Sequence, residues 1–500
     1  MTKLSTFIFL ILSISLTAQI PQINWQKTYG GSYYDKAESI IELNDGGYIV
    51  AGNSQSSNID LSFNHGSYDW WVIKIGKTGN IIWKKTLGGT NYDYLRQIIK
   101  TPDGQLLCVG ETQSNNGDVT NFIGQADSWV VKLDLSGNIL WKKNFGGTGI
   151  DRAFSACITE DGNIIIANTT ESGMPYVTNS YGISDIWLLK IDLQGNIIWQ
   201  KSFGGSGDDF VKSIKPTIDN GYIIIGNSLS SNGILNENKG ELDVWILKTD
   251  SNGQLLWQKT FGGSKSDYAN ALIEDKNGDF LIVGETYSFD FDASENHSDA
   301  ISRDYFVLKI NTQGQKIWSR CYGGSGNEYA RGVVETFGRE YVIVGESYSN
   351  DGQAPNSKGS ADFWLIKINP TNGDLIWQKK YGSDGHDEPN TMILTFDNDF
   401  MVVGNTFPVS DLGDVGQKYG DDDMWVIRFS NNECVKNIIV SEDMQWGNRI
   451  YNATDIISTN KKILNAESNI IYSAGKSILL EKGFSTQNGA TFQAKIEGCN

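Results

Sequence analysis

The sequence predicts an all-β protein: a seven-bladed β-propeller with four-stranded blades and an N-terminal strand closing the ring, followed by a small C-terminal β module. Three observations carry this. A Trp-x-Lys signature recurs at Trp25, Trp83, Trp141, Trp199, Trp257, Trp318 and Trp377, with Arg320 in place of the lysine after Trp318, at intervals of 58, 58, 58, 58, 61 and 59 residues. A second marker, Asp followed two positions later by an aromatic, moves in step at Asp69/Trp71, Asp127/Trp129, Asp185/Trp187, Asp243/Trp245, Asp304/Phe306, Asp362/Trp364 and Asp423/Trp425. The composition, with 55 Gly, 8 Pro, 15 Trp, 39% hydrophobic and 20% charged residues, excludes disordered and collagen-like chains and suits a packed, glycine-punctuated β fold. The 500 residues alone would suggest three ordinary domains at about 150 each; the repeat replaces that division with one ring and one module.

In chain order, the first element is a secretory signal over 1–19: Lys3, an apolar stretch from Phe7 to Leu16, then Thr17-Ala18-Gln19. That stretch is short for a bilayer, and no later segment approaches about 20 uninterrupted apolar residues. The mature chain is therefore expected to be secreted or on the outer cell surface, without a membrane span. The propeller follows over 20–430. Strands in one unit read as Ser213 to Lys215, Tyr222 to Gly226, Val244 to Thr249 and Gln254 to Thr260. Asp219-Asn220-Gly221 joins the first two, and Asp250-Ser251-Asn252-Gly253 makes a hairpin of the last two. The chain opens with a Trp-x-Lys strand and ends its last unit at Trp425 to Phe429 without one, so the N-terminal strand is expected to complete blade seven and remove two open edges.

The markers stop before Cys434, and a second β unit over 434–500 is expected from strand-like stretches at Ile456-Ile457, Ile470-Ile471, Ile478 to Leu480 and Phe492 to Ala494. This segment carries seven Lys and Arg against six Asp and Glu, so the formal charge of −18 belongs to the propeller. Such an acidic chain does not suit a nucleic-acid phosphate backbone. Of the five cysteines, Cys108, Cys157 and Cys321 lie in strand patterns and read as core residues, while Cys434 and Cys499 are a possible disulfide.

The repeat resembles Kelch-type propellers and, more closely, exported bacterial propeller-repeat proteins of the type IX secretion system. The Kelch pattern differs in placing its double glycine after the second strand; here Gly30-Gly31, Gly88-Gly89, Gly146-Gly147, Gly204-Gly205, Gly262-Gly263 and Gly323-Gly324 follow the fourth. The final segment resembles the stacked-rung, coathanger-type β module of type IX cargo, through Ile470 to Gly475, Ile478 to Phe484, Gly489 to Ala494 and the closing Gly498-Cys499-Asn500. That resemblance implies a sorting or anchoring role through the secretion machinery.

Chemistry is expected on the face carrying the long loops between second and third strands, for example Asn53 to Tyr68 and Glu285 to Arg303. Two rings of acids approach it: Asp35, Asp93, Asp151, Asp209, Asp267, Glu328 and Asp387, and the seven aspartates of the second marker. An acid needed in every blade reads as a loop-fixing acceptor of backbone N–H groups, with calcium coordination as the alternative and the only cofactor entertained; Asp421-Asp422-Asp423 and Asp275 to Asp279 complete no calcium-loop spacing. His65, His297 and His386 read as solvent-facing loop histidines rather than a metal site. Differences between blades are more informative. Three residues beyond each ring acid stand Glu38, Arg96, Phe154, Lys212, Asn270, Arg331 and Asn390; if the innermost strand begins there, they line the channel mouth. Arg96, Lys212 and Arg331 suit an acidic sugar or another carboxylate. No catalytic constellation is evident, and the expectation is a binding propeller recognising a surface glycan or protein. A glycan-active enzyme and a structural surface-layer component are the alternatives.

Overall fold

The computed structural model describes residues 20–431, apart from 174–176, 178–180, 236–237 and 298–301, together with strands between 435 and 495. The expected signal over 1–19, Cys434 and Cys499 lie outside the described residues. Seven four-stranded antiparallel sheets form the ring. Blade one comprises strand a (Asp35–Glu42), b (Tyr48–Ser54), c (Asp69–Ile75) and d (Ile81–Leu87), and the next five blades repeat that order. Blade seven takes His386–Leu394, Phe400–Phe407 and Asp423–Ser430 as a to c, and Gln22–Tyr29 pairs antiparallel with Asp423–Ser430 as d. The expected closure is present.

Each strand a packs against strand a of both neighbouring blades, placing these strands around the axis. Strands b and c are wholly buried in blades two to five because residues on both of their faces meet neighbouring blades. Here a marker tryptophan packs against the residue that follows the marker aspartate of the preceding blade: Trp129 against Trp70 at 4.3 Å, and Trp425 against Phe363 at 4.7 Å. The Trp of strand d instead reaches the next blade's hairpin, Trp83 Nε1 donating to the Leu135 carbonyl and Trp141 Nε1 to that of Leu193, at 2.9 and 3.0 Å. Cys108, Cys157 and Cys321 are buried and unbridged, as expected.

The narrow face, made of the a–b turns and c–d hairpins, is closed by a ring of ion pairs. Lys74, Lys132, Lys190, Lys248, Lys309, Lys367 and Arg428 on strand c each reach an acid of the a–b turn in their own blade. Asp275 and Asp279, entertained as oxygen ligands, both lie beside Lys309 at 2.9 and 3.6 Å.

The structure corrects one boundary. Strand a begins at the ring acid, or one residue before it in blade seven, and in blade four that is four residues ahead of the expected Ser213, because the acid pairs in the ladder: Asp209 pairs with Ser228 and accepts its hydroxyl. The long loops are correspondingly shorter, covering 55–68 and 287–303.

In the C-terminal segment the strands pair in parallel. Asn448–Thr459 runs beside Val435–Val440, Asn469–Ala474 and Ser477–Leu480; Thr491–Lys495 continues from Asn469–Ala474. Asn448, Asn469 and Thr491 stand in register, and Tyr472 meets Phe492 edge-on at 5.2 Å. Among the described residues, no helix is long and apolar enough to cross a membrane.

Candidate functional site: the axial channel and its wide-face mouth

Both rings of acids hold the loops of the wide face. The first glycine-loop acids are fully buried; Asp93 accepts the Gly89 amide at 2.7 Å, the Ser114 hydroxyl at 2.9 Å and the Thr112 hydroxyl. The second ring accepts loop amides, as Asp69 does from His65 at 2.6 Å and Asp423 from Tyr419 at 2.7 Å. This is the N–H-accepting role that repetition implies. Among the described residues no group of three or more His, Cys, Asp or Glu is placed to hold a metal ion. The two rings meet across six of the blade junctions: a Cβ on Gly88 would strike carboxylate oxygens of Asp69 and Asp93 together, which is why glycine stands there.

Burial, reinforced by the neighbouring carboxylate, raises these acids: Asp35 and Asp243 to about 7, and Asp93, Asp267, Asp387 and Asp423 to about 6. Their unfolded values lie near 3.9, so the folded state binds more protons between about pH 4 and 7, and stability rises as pH falls through that window. The melting temperature is expected to be a few degrees higher at pH 5 than at pH 8; a scanning-calorimetry series with no such rise would refute the paired-acid account.

The seven non-repeating positions share one backbone feature. Glu38, Arg96, Phe154, Lys212, Asn270, Arg331 and Asn390 each occupy the break in ladder register between strands a and b. A bulge leaves one residue unpaired and re-aims its side chain, and here all seven line one axial cavity of about 210 Å³. The structure thus brings every one of the expected channel residues together.

They are not equivalent. Arg96 Nη2 binds Glu111 at 2.9 Å, and Arg331 Nη2 binds Glu346 at 2.8 Å. Asn270 Nδ2 donates to Glu285 at 2.5 Å and to the Ala330 carbonyl at 2.9 Å, and Asn390 Nδ2 to the Ala37 carbonyl at 2.8 Å. Glu38 accepts from Asn53 Nδ2 at 3.3 Å. Lys212 stands apart: its ammonium lies 5.9 Å over the Phe154 ring, with no ion pair among the described residues, and burial lowers its pKa. Lys212 also belongs to a larger pocket of about 720 Å³ on the wide face, lined by Phe154, Phe210, Leu229, Tyr268, Asp208 and Glu241. One amine therefore sits where an aromatic pocket meets the axial cavity.

A second set of residues went unread in the sequence: Glu111, Glu285 and Glu346 on strand b, fifteen positions after the bulge residue of their blade. Glu111 takes both Arg96 and Arg152, and Glu285 accepts from Arg303 at 3.5 Å, the Arg303 guanidinium lying 4.4 Å from the Tyr287 ring and 4.9 Å from that of Tyr329. The signal available was a carboxylate in an otherwise apolar strand. His65 and His297 stand in loops as expected, His297 exposed, whereas His386 opens a strand. His65 and His297 pair with Asp69 and Asp304 at 2.8 and 2.9 Å, and His386, at the start of a strand, meets Glu346 at 3.3 Å, because each sits beside a carboxylate.

No family model matches the chain. Among curated proteins it is similar to the regulatory protein FlaEY of Caulobacter vibrioides, 23% identical over 228 residues, which is 42% of this chain and 24% of that protein. It is also similar to an uncharacterized WD repeat-containing protein of Acanthamoeba polyphaga mimivirus, 22% identical over 323 residues, 51% of this chain and 23% of that one. The chain thus spans about a quarter of the length of the curated relatives it matches. Similar solved structures include a protein of unknown function from Bacteroides caccae (15% identity, 63% of this chain and 92% of that one, TM-score 0.37). Another is the WD40 domain of Neurospora crassa Pan2 (10% identity, 81% and 95%, TM-score 0.42). A third is an α-L-arabinofuranosidase from Fusarium graminearum (11% identity, 82% and 97%, TM-score 0.41).

Proposed function

We propose that this chain is an exported, surface-displayed binding protein without catalytic activity, whose ligand docks at the wide-face mouth of the propeller channel. The observation that carries this reading is the division of labour in the ring. What repeats from blade to blade holds the scaffold, whereas the bulge residues differ and converge on one cavity that opens, at Lys212, into a pocket edged by Phe154, Phe210 and Tyr268. Aromatic rings beside a cation suit a sugar or peptide bearing an acid group. A glycan-cleaving enzyme needs two carboxyl groups free to act on the glycosidic bond; Glu111, Glu285 and Glu346 are instead each engaged by a guanidinium or an amide.

The C-terminal segment, with its parallel stacked strands, is the part we assign to the secretion machinery. Fusion of residues 434–500 to a periplasmic reporter in a secretion-competent host should carry the reporter out; retention would end that assignment. For the mouth, the mature chain is expected to select acidic glycans or peptides on an array, with Lys212→Ala and Tyr268→Ala each weakening binding about tenfold. Lys212 is the informative position, because Arg96→Ala or Arg331→Ala would also strand Glu111 or Glu346 without its partner. Binding unchanged in both variants would move the site to the outer loops.

A further inference from the structure

We infer that the ligand of the channel mouth carries a carboxylate that enters the axial cavity end-on and seats on a second, deeper lysine, Lys215. This rests on the mouth being the binding site and adds the chemistry at its floor. Lys215 lies three residues beyond the bulge on strand a of blade four (Asp209–Pro216) and lines the same axial cavity as Lys212. The corresponding positions of the other blades are Ile41, Ile99, Cys157, Ile273, Val334 and Ile393. One blade therefore carries a cation where the other six carry an apolar residue.

The scaffold makes no visible use of it. Lysines of strand c that serve the fold are each tied to an acid, as Lys248 is to Asp219 at 2.8 Å. Lys215 has no ion pair or hydrogen bond among the described residues, and burial pushes its pKa down. The titratable group that faces it from the neighbouring blade is Cys157, itself pushed up to about 12. At the bulge level above stand Glu38, Arg96, Lys212 and Arg331, and Lys212 feels Glu285. Both guanidiniums of that level are already matched by Glu111 and Glu346, leaving two amines against Glu38. An amine that lines the cavity without an acid partner among the described residues is left for an acid that arrives from outside. Along a strand rising about 3.3 Å per residue, the two lysines stand one above the other, and strand a runs from the wide face inward. An acid group passing Lys212 thus reaches Lys215 next. Burial lowers the pKa of Lys215 and an anion beside it raises it again, so seating the carboxylate is coupled to proton uptake.

The test uses the mature chain, titrated calorimetrically with galacturonate, succinate and acetate, with galactose as the uncharged control, in two buffers of different ionisation enthalpy. Binding of at least one acid and not of galactose is expected, with proton uptake at pH 8. Lys215→Met should weaken that binding about tenfold or more and remove the proton uptake, while raising Tm by about 1–2 °C as the amine's burial is relieved. If none of the three acids binds, or if Lys215→Met lowers Tm or leaves affinity intact, the inference fails. Loss of binding in Lys212→Ala alone would leave the mouth standing and remove only the deeper contact; intact binding in both variants removes both.

Discussion

Deletion of residues 23–31 is expected to abolish cooperative folding. That segment is nearly the whole of the outer strand of blade seven, and its register with strand c runs from Gln22↔Ser430 to Tyr29↔Met424. Its side chains tie down more than the ladder. Gln26 Oε1 accepts from Trp425 Nε1 at 2.8 Å, Thr28 Oγ1 donates to the Gln417 carbonyl at 2.8 Å, and Tyr29 OH donates to the Gly79 carbonyl of blade one at 2.5 Å. Without them, Asp423–Ser430 becomes an open edge carrying Met424 and Trp425, both fully buried in the intact ring. Unpaired apolar edges recruit other chains, and the lost burial and pairing are comparable with a total folding margin of about 5–15 kcal/mol. The truncated chain should elute as aggregate and show no sigmoidal melt by circular dichroism; a monomer with the parental melt would overturn the closure.

Gly226→Ala is expected to cost on the order of 3 kcal/mol, a fall in Tm of about 3–4 °C for a ring of this size. Gly226 lies on strand b opposite Val211, next to the bulge at Lys212. The bulge brings the Phe210 carbonyl oxygen so close that an added Cβ would overlap it, with the Val211 Cα behind it at 3.1 Å. Since these obstacles are backbone, no rotamer relieves them. The same crowding recurs at Gly52, Gly110, Gly284, Gly345 and Gly404. Blade three alone has a side chain here, Asn168, held at both ends by Ser128 at 2.7 Å and the Trp187 carbonyl at 3.0 Å. Gly226→Ala should also disturb Lys212, so its ligand binding should weaken along with its melting temperature; a variant with unchanged Tm would show that the bulge yields freely.

The seven blades were legible because each is fixed by short-range pairing that leaves the same residues at the same offsets. Trp-x-Lys marks strand d, and Asp-x-aromatic marks the start of strand c. Glycine-loop acids were legible in role for the same reason. Less legible was the bulge: one unpaired residue within strand a does not break a run such as Asp209 to Lys215 visibly, so the pattern marks only Ser213 to Lys215 of a strand that starts at Asp209. Contacts between blades were hidden further. Nothing adjacent in the chain tells that Glu111 will meet Arg152, or that His65 will meet Asp118 of the next blade at 3.6 Å. Lys215 could be seen only once the bulge had set which positions of strand a share a level.

The terminal clasp bears on the order in which the molecule is made. Six blades pair strands drawn from a single repeat, so each can form as soon as its own stretch of chain is available. The seventh joins Trp25 to Arg428, the first strand of the ring to its last. Such a long-range contact pays a large loop-closure entropy before it is rewarded. Ring locking is thereby set as a late, single event, and Gln22–Tyr29 must wait unpaired until blade seven exists. A chain interrupted before residue 423 has no partner for that strand, which makes the clasp a built-in check that all seven blades are present.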